Sequence, residues 1–319
     1  MKLHALYILA ILIACTSCTS NQEKNPTADT NYLSAWNDTD TKKRILNFVK
    51  EVTDPNSLSF VAPEDRIATF DLDGTTTIEK PDYVEVAFAK YYSKKRVAED
   101  STLATQEPYQ AVLTNNETYL KDSVASLLTV PFDGMTQKKY NKELTEFLAT
   151  KHPKFAVDYK YLYYKPMQEL IAYLKANEFE VFISSYSLQT TVRYWTTHTF
   201  GLENENGIGT LIDLEYATDS NEFTRTDDYI LTNAKKAEVI QYQIGKEPIL
   251  AVGNTSGDLE MLEYSSNSKP NLTMIVNHDD ATREYEYFDD DLLKEAKANN
   301  WIIISMKNDF KKLFGKPSE

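Results

Sequence analysis

Ile67-Ala68-Thr69-Phe70-Asp71-Leu72-Asp73-Gly74-Thr75 is the stretch that decides the fold. Ile67, Ala68 and Phe70 make a short apolar run of the kind that forms a buried strand, and Asp71-Leu72-Asp73-Gly74 ends it in a turn. At least one of the two carboxylates must then point into a crevice rather than into the core. An ionised carboxylate removed from water is costly unless a cation, a metal or hydrogen-bond donors face it. Asp71 and Asp73 therefore need a cation or a chemical task.

Apolar periodicity on either side of that strand predicts an α/β architecture. Ile45, Leu46, Phe48 and Val49 give a helix over 39–51, and Pro81 opens a helix that runs through Tyr91. Helical patterns continue over about 107–128 and 136–150, with Pro131 and Gly134 at the break. The next strand of similar apolarity is Glu180-Val181-Phe182-Ile183-Ser184-Ser185, so about 110 residues separate the two. A crossover between parallel strands needs only a dozen or so residues. Residues 80–165 thus read as an inserted, all-helical cap. Beyond it the order becomes regular: helix 166–177, strand 181–185, helix 188–199, helix 234–244 capped by Asn233, strand 249–252, helix 258–264, strand 272–276, helix 289–299 and strand 301–306. Helices alternating with continuously apolar strands predict a Rossmann-like, doubly wound parallel sheet, its core domain covering 32–79 and 166–319. Ligands in such sheets bind beyond the carboxyl ends of the strands, where Asp71, Asp73, Ser185, Asn254 and Asp258 all fall.

The chain has 319 residues, 42% hydrophobic and 26% charged, which suits a globular α/β core carrying an insert. A net charge of −14 argues against nucleic acid as a partner, since phosphate-backbone binding needs a basic surface. It leaves room for a small phosphorylated ligand, which a few local cations would hold. Lys2 precedes an unbroken apolar stretch from Ala5 to Ala14, too short to span a bilayer, and residues 1–14 read as an export signal. Its end, Leu12-Ile13-Ala14-Cys15, is similar to a bacterial lipoprotein box and would lipidate Cys15, with Cys18 the alternative residue and a simple cleaved signal the alternative fate. Both cysteines of the chain lie here, so no disulfide is expected in the folded part. Residues 15–31 are polar and read as a tether. The expected location is the periplasmic side of a bacterial membrane, the outer before the inner, by a lipid anchor.

Three further motifs follow the opening one in order. Val181-Phe182-Ile183-Ser184-Ser185 ends a strand in hydroxyls; Asn233-Ala234-Lys235-Lys236 puts lysines in the first turn of a helix; Leu250-Ala251-Val252-Gly253-Asn254-Thr255-Ser256-Gly257-Asp258 ends a strand in a glycine-rich loop with an acid. The ordered set resembles the haloacid dehalogenase-like hydrolases, and in particular an exported, phosphoserine-phosphatase-like branch with a helical cap. The resemblance implies that Asp71 is the nucleophile and Asp73 the general acid, an acid that dehalogenase and ATPase branches lack. It implies that Ser185 (or Ser184) and Lys236 (or Lys235) bind the substrate phosphate. It implies a magnesium site of Asp71, the Asp73 carbonyl, Asn254 and Asp258. Two residues depart from the family pattern: Asn254 stands where an acid is commonest, leaving open which of Asn254 and Asp258 ligates directly, and Tyr186-Ser187 stands where relatives often have two glycines.

Glu79, entering the cap, either faces the leaving group of a substrate or lies on the surface, and Tyr186 can narrow the pocket. His278-Asp279-Asp280 follows a strand and is expected to support the site; His198 is expected to be structural. Tyr159, Tyr161 and Tyr163 alternate as a short extended segment returning from the cap would. The function implied is a Mg2+-dependent phosphomonoesterase acting on small phosphorylated metabolites, such as phosphoserine or phosphorylated amino alcohols, through an aspartyl phosphate. The alternatives are a related pyrophosphatase or phosphonatase, or a non-catalytic lipoprotein that binds a phosphate ligand.

Overall fold

A computed structural model of the protein describes residues 33–230 and 235–315. The export signal, the tether, Cys15, Cys18 and the Asn233 cap lie outside the described residues. Helix α1 (Asp40–Thr53) buries Ile45, Phe48, Val49 and Val52 and leads to strand β1 (Ile67–Phe70), every residue of which is buried. Between β1 and the next strand come α2 (Val84–Glu99), α3 (Tyr109–Thr114), α4 (Glu117–Asp122), α5 (Val124–Thr129) and α6 (Gln137–Leu148). Then follow α7 (Lys165–Ala176), β2 (Glu180–Leu188), α8 (Gln189–His198), the hairpin of β3 (Gly207–Ala217) and β4 (Glu222–Ile230), and α9 (Lys236–Gln243). The chain closes with β5 (Leu250–Gly253), α10 (Leu259–Asn267), β6 (Leu272–Asn277), α11 (Asp290–Ala298) and β7 (Ile302–Ser305).

The strands form one seven-stranded sheet in the order β4-β3-β2-β1-β5-β6-β7. All neighbours are parallel except β3 and β4. Both faces are covered, as a parallel sheet requires. Leu250 and Val252 of β5 pack into the large core cluster while Ala251 between them packs with Met261, Leu262 and Leu292 on the opposite face. Met274 and Ile275 of β6 divide the same way. Successive strands run outward from β1 on one side and outward from β5 on the other. The crevice beyond β1 and β5 is thus the switch point where doubly wound sheets bind ligands.

The helices of the insert share an aromatic core. Phe88 meets Phe132, Tyr140 and Phe147 at ring-centroid distances of 5.1, 5.4 and 5.5 Å, and Tyr92 stacks on Phe132 at 4.9 Å. The chain leaving β1 and the chain returning to α7 run side by side: the Ile78 amide donates to the Leu162 carbonyl at 3.0 Å and the Tyr164 amide to the Thr76 carbonyl at 2.8 Å.

Several expectations need correction. The β3–β4 hairpin adds two strands to the expected alternation and gives the parallel sheet an antiparallel edge. The helix expected over 107–128 is three short ones, broken at Asn115, whose φ of +52° is left-handed, and at Ser123. The helix expected to open at Pro81 begins at Val84, and that expected from Ala234 begins at Lys236. Tyr159–Tyr161 form a 3-10 turn rather than an extended segment; only Tyr163 bridges in strand fashion, to Thr77. Phe88 is fully buried at the centre of the aromatic cluster, so Phe88→Ala is expected to cost about 3–5 kcal/mol, read as a lower urea midpoint at unchanged slope.

Candidate active site

The Asp71–Thr77 turn is built by its backbone. The Asp71 amide donates to the Val252 carbonyl at 2.9 Å, which extends the β1–β5 pairing one residue past the strand and sets the Asp71 side chain over the crevice. The chain then reverses, with the Thr76 and Thr77 amides donating to the Leu72 carbonyl at 2.8 and 2.9 Å. Gly74 has φ +79°, and a Cβ there would fall 2.0 Å from Asn254 Nδ2, so both conformation and space demand glycine.

Lys236 is the first residue of α9, and its Nζ lies 2.5 Å from Asp71 Oδ1 and 2.5 Å from Asp258 Oδ1. All three side chains are buried. Asp258 Oδ2 accepts the amides of Asn254 (2.9 Å) and Thr255 (3.1 Å), folding the β5 loop back on itself. That fold-back leaves no room for a side chain at Gly253, where a Cβ would meet Asp258 Cβ at 2.5 Å. Lys235, the alternative lysine, points away and pairs with Glu260 at 2.9 Å on the exposed side. Burial alone would push the Lys236 ammonium down, but Asp258 and Asp71 outweigh it and hold it above the usual lysine range. Burial and the neighbouring Asp258 push the Asp71 carboxyl up, and Lys236 pulls it back.

Asp73 has a different environment. Its Oδ2 accepts from the Ser187 hydroxyl at 2.6 Å and from Ser185 at 3.4 Å. Burial, with the charge of Glu85 behind it, pushes Asp73 up to about 7, against the Ser187 hydrogen bond. Glu85, on α2, accepts the Leu188 amide at 2.7 Å and is likewise pushed to about 7 by burial, opposed by that amide and by Ser187. Asp71, Asp73, Ser185, Tyr186, Lys236 and Asp258 line one cavity of about 580 Å³, with Tyr83, Val86, Val124 and Leu128 on its far wall. Tyr186 is half exposed, its ring 5.3 Å from the Lys236 ammonium.

A haloacid dehalogenase-like hydrolase family model matches residues 68–263, the span from β1 to α10 that carries all of these groups. The chain belongs to this family. No curated protein matches it. Among solved structures it is similar to a conserved functionally unknown protein from Anaerococcus prevotii DSM 20548, at 13% identity and TM-score 0.56 over 88% of this chain and 97% of that one, which places the two in one fold. A looser likeness, TM-score 0.39 at 15% identity over 75% of this chain and 94% of the other, is to a phosphoserine phosphohydrolase-like protein from Francisella tularensis subsp. tularensis SCHU S4.

Phosphatases among the haloacid dehalogenase-like hydrolases typically use Mg2+, and the oxygen donors present are of the kind that cation takes. Every candidate ligand atom is an oxygen, and Asp71 and Asp258 already converge on one positive charge. Among the described residues no group of three or more His, Cys, Asp or Glu side chains has metal-holding spacing. Magnesium suits such a site, because it keeps several waters and takes only one or two carboxylates from the protein. Asn254 is engaged elsewhere: its Oδ1 accepts from the Thr75 hydroxyl at 3.1 Å and its Nδ2 donates to Glu79 at 3.2 Å. Glu79 is 3% exposed, so the surface alternative for it fails. Of His278-Asp279-Asp280 only His278 reaches the site; Asp279 binds Ser305 and Asp280 pairs with Arg283.

Ser187 and Glu85 escaped the sequence. Glu85 carried a signal, a carboxylate between Val84 and Val86 on the apolar face of its helix, whereas nothing in Ser184-Ser185-Tyr186-Ser187 marks the last serine as Asp73's nearer partner. An acid held above its ordinary value binds its proton more tightly folded than unfolded, so Glu85 costs stability as pH rises from about 4.5 to about 7 and throughout above. Glu85→Gln is expected to be more stable than the parent at pH 8 by on the order of 2 kcal/mol, with the gap closing below pH 5, in urea unfolding at both pH values.

Proposed function

We propose that the protein is a Mg2+-dependent phosphomonoesterase acting on small phosphorylated metabolites through an aspartyl phosphate on Asp71. The observation that carries this is the division of labour in the first motif. Two carboxylates two residues apart share one cavity, Asp71 bound by the Lys236 ammonium and Asp73 by the Ser187 and Ser185 hydroxyls. Environments that separate two acids in this way assign them to different tasks.

In the first step an Asp71 carboxylate oxygen forms a bond to phosphorus, the bond from phosphorus to the leaving oxygen breaks, and Asp73 gives that oxygen its proton. In the second step Asp73 takes a proton from water, the water oxygen bonds to phosphorus, and the bond to Asp71 breaks, releasing inorganic phosphate. Lys236 and the Ser185 hydroxyl hold the non-bridging oxygens as charge moves onto them. The bound cation would be held by Asp71, the Asp73 carbonyl and Asp258, with Asn254 the neutral alternative, and would supply charge neutralisation at the phosphoryl group. The wall of Tyr83, Val86, Val124 and Leu128 favours a leaving group of metabolite size over a protein chain.

On this reading residues 80–165 are the cap that excludes water and selects the leaving group, over a core of 32–79 and 166–319. The chain would be held at the periplasmic side of a bacterial membrane through lipid on Cys15 or Cys18. With magnesium the purified protein is expected to release phosphate from a generic aryl phosphate. Chelation should stop it, and Asp71→Asn should lower kcat by more than about a thousandfold. No phosphate release by the parent, with Asp71→Asn binding phosphate equally well, would leave a non-catalytic binding protein instead.

A further inference from the structure

A buried set of hydrogen bonds outside the reacting groups grips the Asp73–Thr75 turn from two sides. On one side stands His278, just past β6. Its Nε2 lies 2.7 Å from the Gly74 carbonyl and 2.8 Å from the Tyr287 hydroxyl, and its Nδ1 lies 3.1 Å from Glu284 Oε2. The Tyr164 hydroxyl donates to the other Glu284 oxygen at 3.1 Å. On the other side stands Asn254, which takes the Thr75 hydroxyl on its oxygen and gives its amide to Glu79. Glu79 and Tyr287 hydrogen-bond each other, which joins the two grips.

Donor and acceptor rules place the decisive proton. A main-chain carbonyl only accepts, so the hydrogen between His278 and Gly74 is on Nε2. Tyr287 then has its acceptor in Glu79 rather than in the ring. Whichever of Nδ1 and Glu284 carries the hydrogen they share, Glu284 fixes the rotation of the imidazole, the part that a carboxylate plays behind many ligating histidines. The 278–287 loop is folded for this: the Tyr287 amide donates to the His278 carbonyl at 3.2 Å, and the Asp280 carboxylate accepts the Thr282 and Arg283 amides at 3.2 and 3.1 Å, turning Glu284 back under His278. His278 and Glu284 are each 1% exposed. A buried histidine usually satisfies core groups of its own neighbourhood; this one spends its donor on a carbonyl more than 200 residues away in the chain.

The turn needs such a hold. Gly74 sits at φ +79° directly after Asp73; its amide is tied to the Thr77 carbonyl at 2.7 Å, and the His278 bond ties its carbonyl, so the residue is held at both ends. A displacement of about 1 Å in a reacting group is enough to cost on the order of 100-fold in rate. We propose that His278, oriented by Glu284, is a positioning residue: its Nε2–H holds the Gly74 carbonyl and so fixes Asp73 relative to Asp71. The effect on turnover rests on the phosphatase reading; the hold on the carbonyl does not.

The test therefore has two arms on the full chain. In 15N-histidine spectra of the parent protein, with the His278 ring assigned by its loss in His278→Gln, Nε2 should stay protonated from pH 6 to pH 9. A ring whose Nε2 loses its proton in that range while the protein stays folded overturns the proposal, whether or not the protein hydrolyses phosphate esters. With an aryl phosphate and magnesium, His278→Ala and Glu284→Gln should lower kcat about 10–100-fold with KM changed less than about threefold, and His278→Gln, which keeps a donor, should recover part of the loss. Unfolding midpoints identify any variant that fails to fold, in which case the remaining variants decide. Variants that fold with unchanged kcat, or that change KM alone, also overturn it.

Discussion

The Lys236 ammonium between the Asp71 and Asp258 carboxylates is the contact on which the rest of the molecule depends. Two like charges facing each other out of water would be strongly unfavourable without it, and removing one member of a buried set leaves the others uncompensated. Nothing local explains a lysine at this position. The first turn of a helix carries a partial positive charge and favours acids. The lysine stands there because the helix after the β3–β4 hairpin starts beside the ends of β1 and β5, and only a tertiary partner makes its charge acceptable. Sheet order, the hairpin and the β5 loop all serve to bring three charges from distant parts of the chain into one crevice.

The same constraint ties the helical insert to the chemistry. Its two connections pair with each other immediately after the Asp71–Asp73 turn, so Thr76 to Ile78 belong both to that turn and to the root of the insert. Its first helix also sends Glu85 to the Leu188 amide at the end of β2, next to Ser187, which binds Asp73. Movement of α2 would therefore alter the surroundings of Asp73 directly, through one carboxylate and one hydroxyl.

Much of this was legible because burial on both faces leaves a strong mark. β1, β5 and β6 read as continuous apolar runs, and the acids that end them stand out. Strand β3 fully buries only three of its eleven residues, so Thr210-Leu211-Ile212-Asp213-Leu214-Glu215 alternates weakly and does not stand out as a strand. β2 runs on to Leu188 through a register shift against β3 between Ser184 and Leu188, and that irregularity, which spacing cannot reveal, seats Ser187 and not Ser185 closest to Asp73. Lys236 faces the crevice and its alternative Lys235 does not, because one residue in the start of the helix decides which of them does. The partners of His278 depend on a loop whose composition carries no pattern.

Asn254 shows why a departure from a family pattern is best judged with its neighbours. An acid at that position would stand beside Glu79, itself buried and pushed above its ordinary range by that burial. Two carboxylates there would repel, and neither could donate to the other. An amide resolves the conflict, because its nitrogen gives Glu79 a hydrogen and its oxygen takes one from Thr75. The space is already full: a Cβ on Gly74 would meet Asn254 Cγ and Glu79 Cδ at 2.8 Å each. The neutral residue in the β5 loop and the buried acid at the root of the insert fit each other as donor and acceptor.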